Sequence, residues 1–394
     1  MTALSDRVKR IKPSPTLAVT ARAKALKATG KDIIGLGAGE PDFDTPDHIK
    51  QAAIKAIQDG FTKYTAVDGT AELKQAIREK FKTDNNLDFS AEQILVSCGG
   101  KQSFYNLAQA LLNTGDEVII PAPYWVSYPD MVLLADASPV IVSCGIEKSF
   151  KITPEQLDAA ITAKTRLLIL NSPSNPTGSM YTQAELQSLA DVLIKHPDVL
   201  VVSDDIYEHI LLGDTPFHNI LMSCPELYER AIILNGVSKA YSMTGWRIGY
   251  AAGPADLIAA MKKIQSQSTS NPCSISQVAA QAALQSEQSC VALMTKAFRE
   301  RHDYIVPAIN AIKGLSCLPS QGAFYSFPNC QSAIDSLANI QNDVQFGEYL
   351  LEKSGIALVP GSAFGAEGYM RLSFATSMDN LRQAIDRLSV LLND

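Results

Sequence analysis

From Ile94 onwards the chain alternates short, continuously apolar runs with stretches of helical periodicity. The runs are Ile94-Leu95-Val96, Val118-Ile119-Ile120, Val140-Ile141-Val142, Leu167-Leu168-Ile169-Leu170, Val199-Leu200-Val201-Val202, Ile232-Ile233-Leu234 and Ile248-Gly249-Tyr250-Ala251. Strands that are apolar at every position need cover on both faces. The alternation therefore predicts an α/β fold with a mainly parallel, doubly wound, seven-stranded sheet.

Upstream, Leu17 to Thr29 reads as a helix ending at Gly30, and Pro46 to Gly60 carries Ile49, Ala53, Ile54 and Ile57 at helical spacing. Phe61 to Gly69 reads as an irregular loop containing Tyr64, followed by a helix over about Ala71 to Phe81. Beyond about Gln285 the rhythm changes. A long helix over Cys290 to Ile312 precedes strands at Ala323 to Phe327, Ile356 to Val359 and Met370 to Phe374, and Leu381, Ile385, Leu388 and Leu392 line a last helix. The expectation is a large domain over 46–285 and a smaller α+β domain built from 1–45 and 286–394, with no internal repeats or long linkers.

A length of 394 residues accommodates two such cores, and 46% hydrophobic with 19% charged residues is the balance of a globular protein. A net charge of −7 argues against binding to nucleic-acid phosphates, which require a basic face. The seven cysteines form no CxxC pair and are odd in number, so reduced thiols used mostly for packing are expected. Five scattered histidines lack ligand spacing, and no metal is expected. The charged stretch from Met1 to Ile11 has no apolar leader, and no apolar run approaches the ~18 residues that span a bilayer. A cytoplasmic protein without a membrane partner is the expectation.

Most of the apolar runs end on polar or glycine clusters: Ser97-Cys98-Gly99-Gly100-Lys101-Gln102, Asn171 to Gly178, Ser203-Asp204-Asp205-Ile206-Tyr207 and Asn235 to Lys239. Ligands of open parallel sheets bind at the carboxyl ends of the strands, so these clusters can converge. Lys239, just beyond an apolar run, is placed where desolvation lowers an amine's pKa and frees it as a nucleophile. The helix start at Gly100, Ser238 and Arg247 together make a phosphate cup. Asp204 can keep a pyridine nitrogen protonated, Trp125 can stack on a planar ring, and Asn175 can donate to a ring hydroxyl. Arg371, within an apolar strand, needs an anion such as a substrate carboxylate. Taken singly, each is also compatible with a helix cap, a plain turn, a core aromatic or a surface cation. The Gly35-Leu36-Gly37-Ala38-Gly39 cluster lacks the GxGxxG spacing and the following helix of a dinucleotide loop, and suits a close approach of backbone to substrate at Gly39.

Asn175-Pro176-Thr177-Gly178, Asp204 to Tyr207, Ser238-Lys239-Ala240 with Gly245-Trp246-Arg247-Ile248-Gly249, and Arg371-Leu372-Ser373 resemble, in this order, the class I aminotransferases of the pyridoxal-phosphate fold type I superfamily. The resemblance covers the whole chain. It implies pyridoxal 5'-phosphate held through Lys239, Asp204 on the ring nitrogen, Tyr207 and Asn175 on the ring oxygen, and Trp125 stacked on the ring. Gly100, the Lys101 backbone, Ser238 and Arg247 would hold the phosphate, joined by Tyr64 of the other subunit of a homodimer. Arg371, Asn175 and Gly39 would surround the substrate carboxylate. The chain is most similar to the bacterial and plant-type aspartate aminotransferases. It has no arginine between Lys263 and Arg299, so the Lys101 side chain, with Thr16, would serve the distal carboxylate. Aspartate with 2-oxoglutarate is the substrate pair this implies, moved in a ping-pong cycle. Aromatic, prephenate or alanine transamination and a β-lyase activity remain alternatives, and a regulator that only binds the cofactor would need a basic DNA-binding extension.

Overall fold

The computed structural model describes residues 2–13 and 15–393. Met1, Ser14 and Asp394, assigned from the sequence to the smaller domain, lie outside the described residues. A two-residue strand, β1 (Ile34–Gly35), precedes the strands of the central sheet. These are β2 (Ile94–Ser97), β3 (Glu117–Ala122), β4 (Ser138–Ser143), β5 (Thr165–Asn171), β6 (Leu200–Asp204), β7 (Ala231–Gly236) and β8 (Gly249–Ala252). Among the described residues they form one seven-stranded sheet in the order β2-β8-β7-β6-β5-β3-β4. Only β8 runs against its neighbours, antiparallel to both β2 and β7.

Side-chain alternation along each strand feeds two cores. Val118, Ile120, Leu167, Ile169, Ile232 and Leu234 face Phe104, Leu107, Met131 and Met261 on one side. Their neighbours Ile119, Leu168, Leu170, Val201 and Ile233 face Ile77, Phe81, Leu186 and Leu189 on the other. Each of these strand side chains is at most 2% exposed, and burying one contributes about 1.5–3 kcal/mol. Continuously apolar strands are thus a consequence of having helices on both faces.

The register aligns the strand ends. Asp204 lies level with Asn171 on one side and Leu234 on the other, so polar residues distant in sequence share one sheet edge. Helices begin where local chemistry satisfies their first amides. Thr182 and Glu185 form a reciprocal capping box at the helix Gln183–Lys195. The helix Gly100–Leu111 starts without a side-chain cap, after Gly99 at φ 86°, which leaves its N-terminus to an anion.

A third core joins Ile34 and Leu36 to Phe298, Phe324, Phe346, Leu372, Leu381 and Leu388, and takes in Tyr207, Ile210 and Leu212 from the segment after β6. Its strands are β9 (Tyr325–Ser326), β10 (Ile356–Ala357), β11 (Val359–Pro360) and β12 (Met370–Ser373). Here the strands are shorter than the apolar runs suggest. Ala323 has a left-handed φ of 60°, which breaks the extended run before Tyr325. The stretch from Ile356 to Val359 divides at Leu358 because β10 pairs in parallel with β1 while β11 pairs antiparallel with β12. In the large sheet Val199 and Ile248 fall just outside β6 and β8. No helix among the described residues is long and apolar enough to cross a membrane.

The strand β8 passes directly under the start of the helix Gly100–Leu111. A Cβ on Gly249 would lie 2.2 Å from Gly100 N and 2.5 Å from the Gly99 carbonyl carbon, both backbone atoms. Gly249→Ala should therefore destabilise the protein by about 2 kcal/mol through overpacking. A shift of the urea midpoint measures it.

Candidate active site

Thr16, Gly39, Gly100, Lys101, Trp125, Asn175, Asp204, Tyr207, Ser238, Lys239, Arg247 and Arg371 line one cavity of about 390 Å³ at the carboxyl ends of β5, β6 and β7. Tyr64 stands apart from it, 91% exposed on the loop after the helix Asp47–Gln58. The sheet register explains the convergence of the first group, and the third core carries Gly39 and Arg371 to the opposite wall.

Lys239 lies just past the end of β7, and its Nζ donates to the carbonyl of Gly39. Burial, aided by the positive charge of Arg371, lowers its pKa to about 8, against a partial restoring pull from Glu40. At that value roughly one molecule in ten carries the free amine at pH 7. A lysine so placed can act as nucleophile and as base.

Asp204 ends β6, and burial pushes its carboxyl pKa upward. Two donors oppose this: the Tyr128 hydroxyl, 2.5 Å from Oδ2, and the Ile206 amide, 3.4 Å from Oδ1. No lysine, arginine or histidine forms an ion pair with Asp204 among the described residues. The site thus offers a half-buried carboxylate to a cationic N–H. Tyr128 is itself buried, and its own pKa is driven well above the ordinary value by burial and by the Asp204 charge, which keeps it a donor.

Arg371 in β12 is 2% exposed and lies over the Tyr325 ring, 4.5 Å from its centroid. Its terminal nitrogens donate to Asn175 Oδ1 at 2.9 Å and to the Gly37 carbonyl at 2.7 Å, while Nε has no partner. A buried guanidinium held only by neutral oxygens is incomplete without an anion. Gly39 leaves room there: a Cβ on it would stand 3.2 Å from the Tyr325 hydroxyl and 4.0 Å from the Arg371 guanidinium.

At the far end of the cavity, Arg247 adopts a left-handed φ of 58° and donates to the Thr244 carbonyl at 2.8 Å and the Cys98 carbonyl at 3.3 Å. Gly99 makes this possible, because a Cβ there would come within 2.2 Å of the guanidinium. The uncapped helix start, Ser238 and Arg247 together make a cradle for a dianion. Lys101 places Nζ 5.1 Å from the centroid of Trp125, and Thr16 Oγ1 is buried without a partner.

Four contributors escaped the sequence reading. Tyr128 anchors Asp204. Asn171 receives the Asn175 amide at 2.9 Å and donates to the Asp204 carbonyl at 2.9 Å. The Tyr325 hydroxyl bonds that of Tyr207 at 2.9 Å, and Glu40 accepts from Thr244 at 2.9 Å. The available signals were faint: Tyr128 lies one helical turn from Trp125, and Tyr325 brings a hydroxyl into an aromatic strand.

Comparison with known proteins agrees along the full length. The family model of class I and II aminotransferases matches residues 31–388. An aspartate/prephenate aminotransferase of Nitrosomonas europaea is 62% identical over 395 residues, covering 99% of this chain and 100% of the relative. One from Cereibacter sphaeroides is 55% identical over 392 residues, covering 98% of each. Among solved structures, the aspartate aminotransferase of Rhizobium meliloti superposes with a TM-score of 0.96 at 47% identity, covering 100% of this chain and 99% of the other. That of Thermus thermophilus with maleate gives 0.94 at 43% identity, covering both chains completely. A lysine poised at a sheet edge, a buried unpaired arginine and end-to-end kinship lead to one assignment: the chain belongs to the class I and II aminotransferases.

Proposed function

We propose that this aminotransferase uses pyridoxal 5'-phosphate to move an amino group from aspartate to an oxo acid, 2-oxoglutarate or prephenate. The observation that carries this is Arg371, a buried cation with an unsatisfied Nε, across one cavity from the Lys239 amine. The first suits a substrate α-carboxylate and the second the chemistry at the adjoining carbon. The names of the Nitrosomonas and Cereibacter relatives favour prephenate as a second acceptor.

The residues fit the cofactor. The cradle that Gly99 and Gly249 keep free of side chains suits its phosphate, held by the Gly100 and Lys101 amides, Ser238 and Arg247. Asp204, a half-buried carboxylate with no ion-pair partner among the described residues, suits the ring N–H. Trp125 would cover the ring, and Tyr207 with Asn175 would meet its oxygen. When bound, pyridoxal phosphate supplies an aldehyde carbon and a ring that draws in electrons from the substrate Cα–H bond. Lys239 Nζ would hold the cofactor, and its amine would take the proton from the substrate Cα. Tyr128 holds Asp204 ionised and oriented. Arg371 and Asn175 fix the carboxylate, so that the Cα–H bond points at the lysine. Lys101, with Thr16, faces the substrate's distal carboxylate.

The same reading makes the enzyme a homodimer in which Tyr64 reaches the other subunit's phosphate site, and divides each chain into a cofactor domain over 46–285 and a smaller domain over 1–45 and 286–394. Seven unpaired cysteines support a reducing compartment, the cytoplasm.

The test is a donor and acceptor screen with purified, cofactor-loaded protein. Aspartate should yield oxaloacetate with either acceptor, whereas ammonia released without any acceptor would replace transamination by elimination. Lys101→Ala should raise KM for aspartate about tenfold, the loss expected for one charged hydrogen bond, and leave alanine nearly unaffected; steady-state kinetics on both donors measures this. For Tyr128→Phe the sign follows from the hydrogen bond: losing a donor to the carboxylate raises the Asp204 pKa. The acid limb of the kcat profile should move up by about one pH unit, with activity recovering at alkaline pH. Equal loss at every pH would mean that Tyr128 acts only in packing.

A further inference from the structure

The loop from Phe61 to Thr70 is anchored from outside by two side chains that are both fully buried. Gln277, on the helix Ser274–Gln285, accepts the Thr70 amide at 2.8 Å and donates to Thr65 Oγ1 at 3.0 Å and to the Pro272 carbonyl at 2.9 Å. Gln265, on the helix Ala255–Ser266, donates to the Val67 carbonyl at 2.7 Å and to the Val96 carbonyl at 2.8 Å. Its Oε1 in turn accepts from Ser97 and Asn106. Each amide thus bridges the loop to a rigid part of the large sheet or its helices. Ser274 adds a bond to the Phe61 carbonyl at 2.8 Å, and the Asp68 carboxylate sits between Lys74 and Lys262.

Such anchoring is costly unless the fixed geometry is used, because ordering a loop gives up backbone entropy. Yet Tyr64, near the loop's tip, is 91% exposed and stands apart from its own chain's active-site cavity. Ile54 and Ile57 on the preceding helix and Phe61 at the start of the loop leave 43%, 54% and 41% of their surface uncovered. The cavity is correspondingly open at its phosphate end, where Arg247 and Lys101 are exposed.

We propose that Gln277 and Gln265 are positioning residues that act in trans: they set the loop in advance so that Tyr64 completes the phosphate end of the cavity in a second copy of this chain. The inference rests on the reading of Tyr64 given above. Preorganisation removes the ordering cost from cofactor binding at the neighbouring site, so loss of the clamp weakens a site that the clamp itself does not touch.

Hybrid dimers assembled from two differently tagged chains test this. One chain carries Lys239→Ala, so only the other chain's site binds cofactor through Lys239, and the absorbance of that cofactor gives its dissociation constant. Gln277→Leu on the Lys239→Ala chain should raise this constant about tenfold, the loss of one phosphate hydrogen bond, whereas the same change on the chain with intact Lys239 should leave it unaltered. Equal effects in both arrangements, or an effect only in the second, would overturn the proposal. Should Gln277→Leu fail to accumulate, Thr65→Val removes the Gln277 contact at a half-buried position, with an increase of about threefold expected in the same arrangement only. Tyr64→Phe in both arrangements separates the two ideas. No trans effect from it removes the Tyr64 reading and the clamp with it; a trans effect from Tyr64→Phe without one from Gln277→Leu or Thr65→Val removes the clamp alone.

Discussion

A strand buried on both faces has nowhere to put polar chemistry except at its ends, and this constraint shapes the whole molecule. The interior of β5, β6 and β7 is fully committed to the two cores, so Asn171, Asp204 and Lys239 can appear only where those strands finish or just beyond. Parallel pairing then sets these ends side by side. The cavity at these strand ends is the direct result of packing the sheet from both sides.

The second wall comes from the other core. There β12 carries Arg371 into a nearly water-free position whose neighbours are the Tyr325 and Phe364 rings and two neutral oxygens. Opposite it, Asp204 is a carboxylate without a cation. Arg371 and the half-buried Asp204 thus share one cavity with the Lys239 amine and form no ion pair with each other. Such an arrangement is expensive in the free protein and is relieved by a ligand with an anionic and a cationic end. Lys239, its pKa lowered to about 8 by burial, lines the same cavity. Desolvation is thus the shared cause of the incomplete solvation of Arg371, the raised pKa of Asp204 and the lowered pKa of the lysine amine.

Buried amides perform the corresponding task at the periphery. Gln265 and Gln277 are apolar-core neighbours with polar ends, each spanning several backbone groups that have no ladder partner. They tie an irregular loop to the helices and the sheet beside it.

The continuous apolar runs by themselves determined the central sheet, its mainly parallel character and the edge on which chemistry falls, because covering both faces leaves a period-free signature. Lys239, Arg247, Asp204 and Arg371 stood out because a charged residue beside an apolar run has few physical justifications. Tertiary structure alone decided the rest. Tyr128 pairs with Asp204 across 76 positions, and Gln277 with Thr65 across 212; a hydrogen bond depends on spatial approach, which local composition does not encode. The division of Ile356 to Val359 between two sheets, and the break at Ala323, likewise follow from partners contributed by distant segments. Hydrophobic periodicity is local and survives in the sequence, whereas the satisfaction of buried polar groups is a property of the assembled fold.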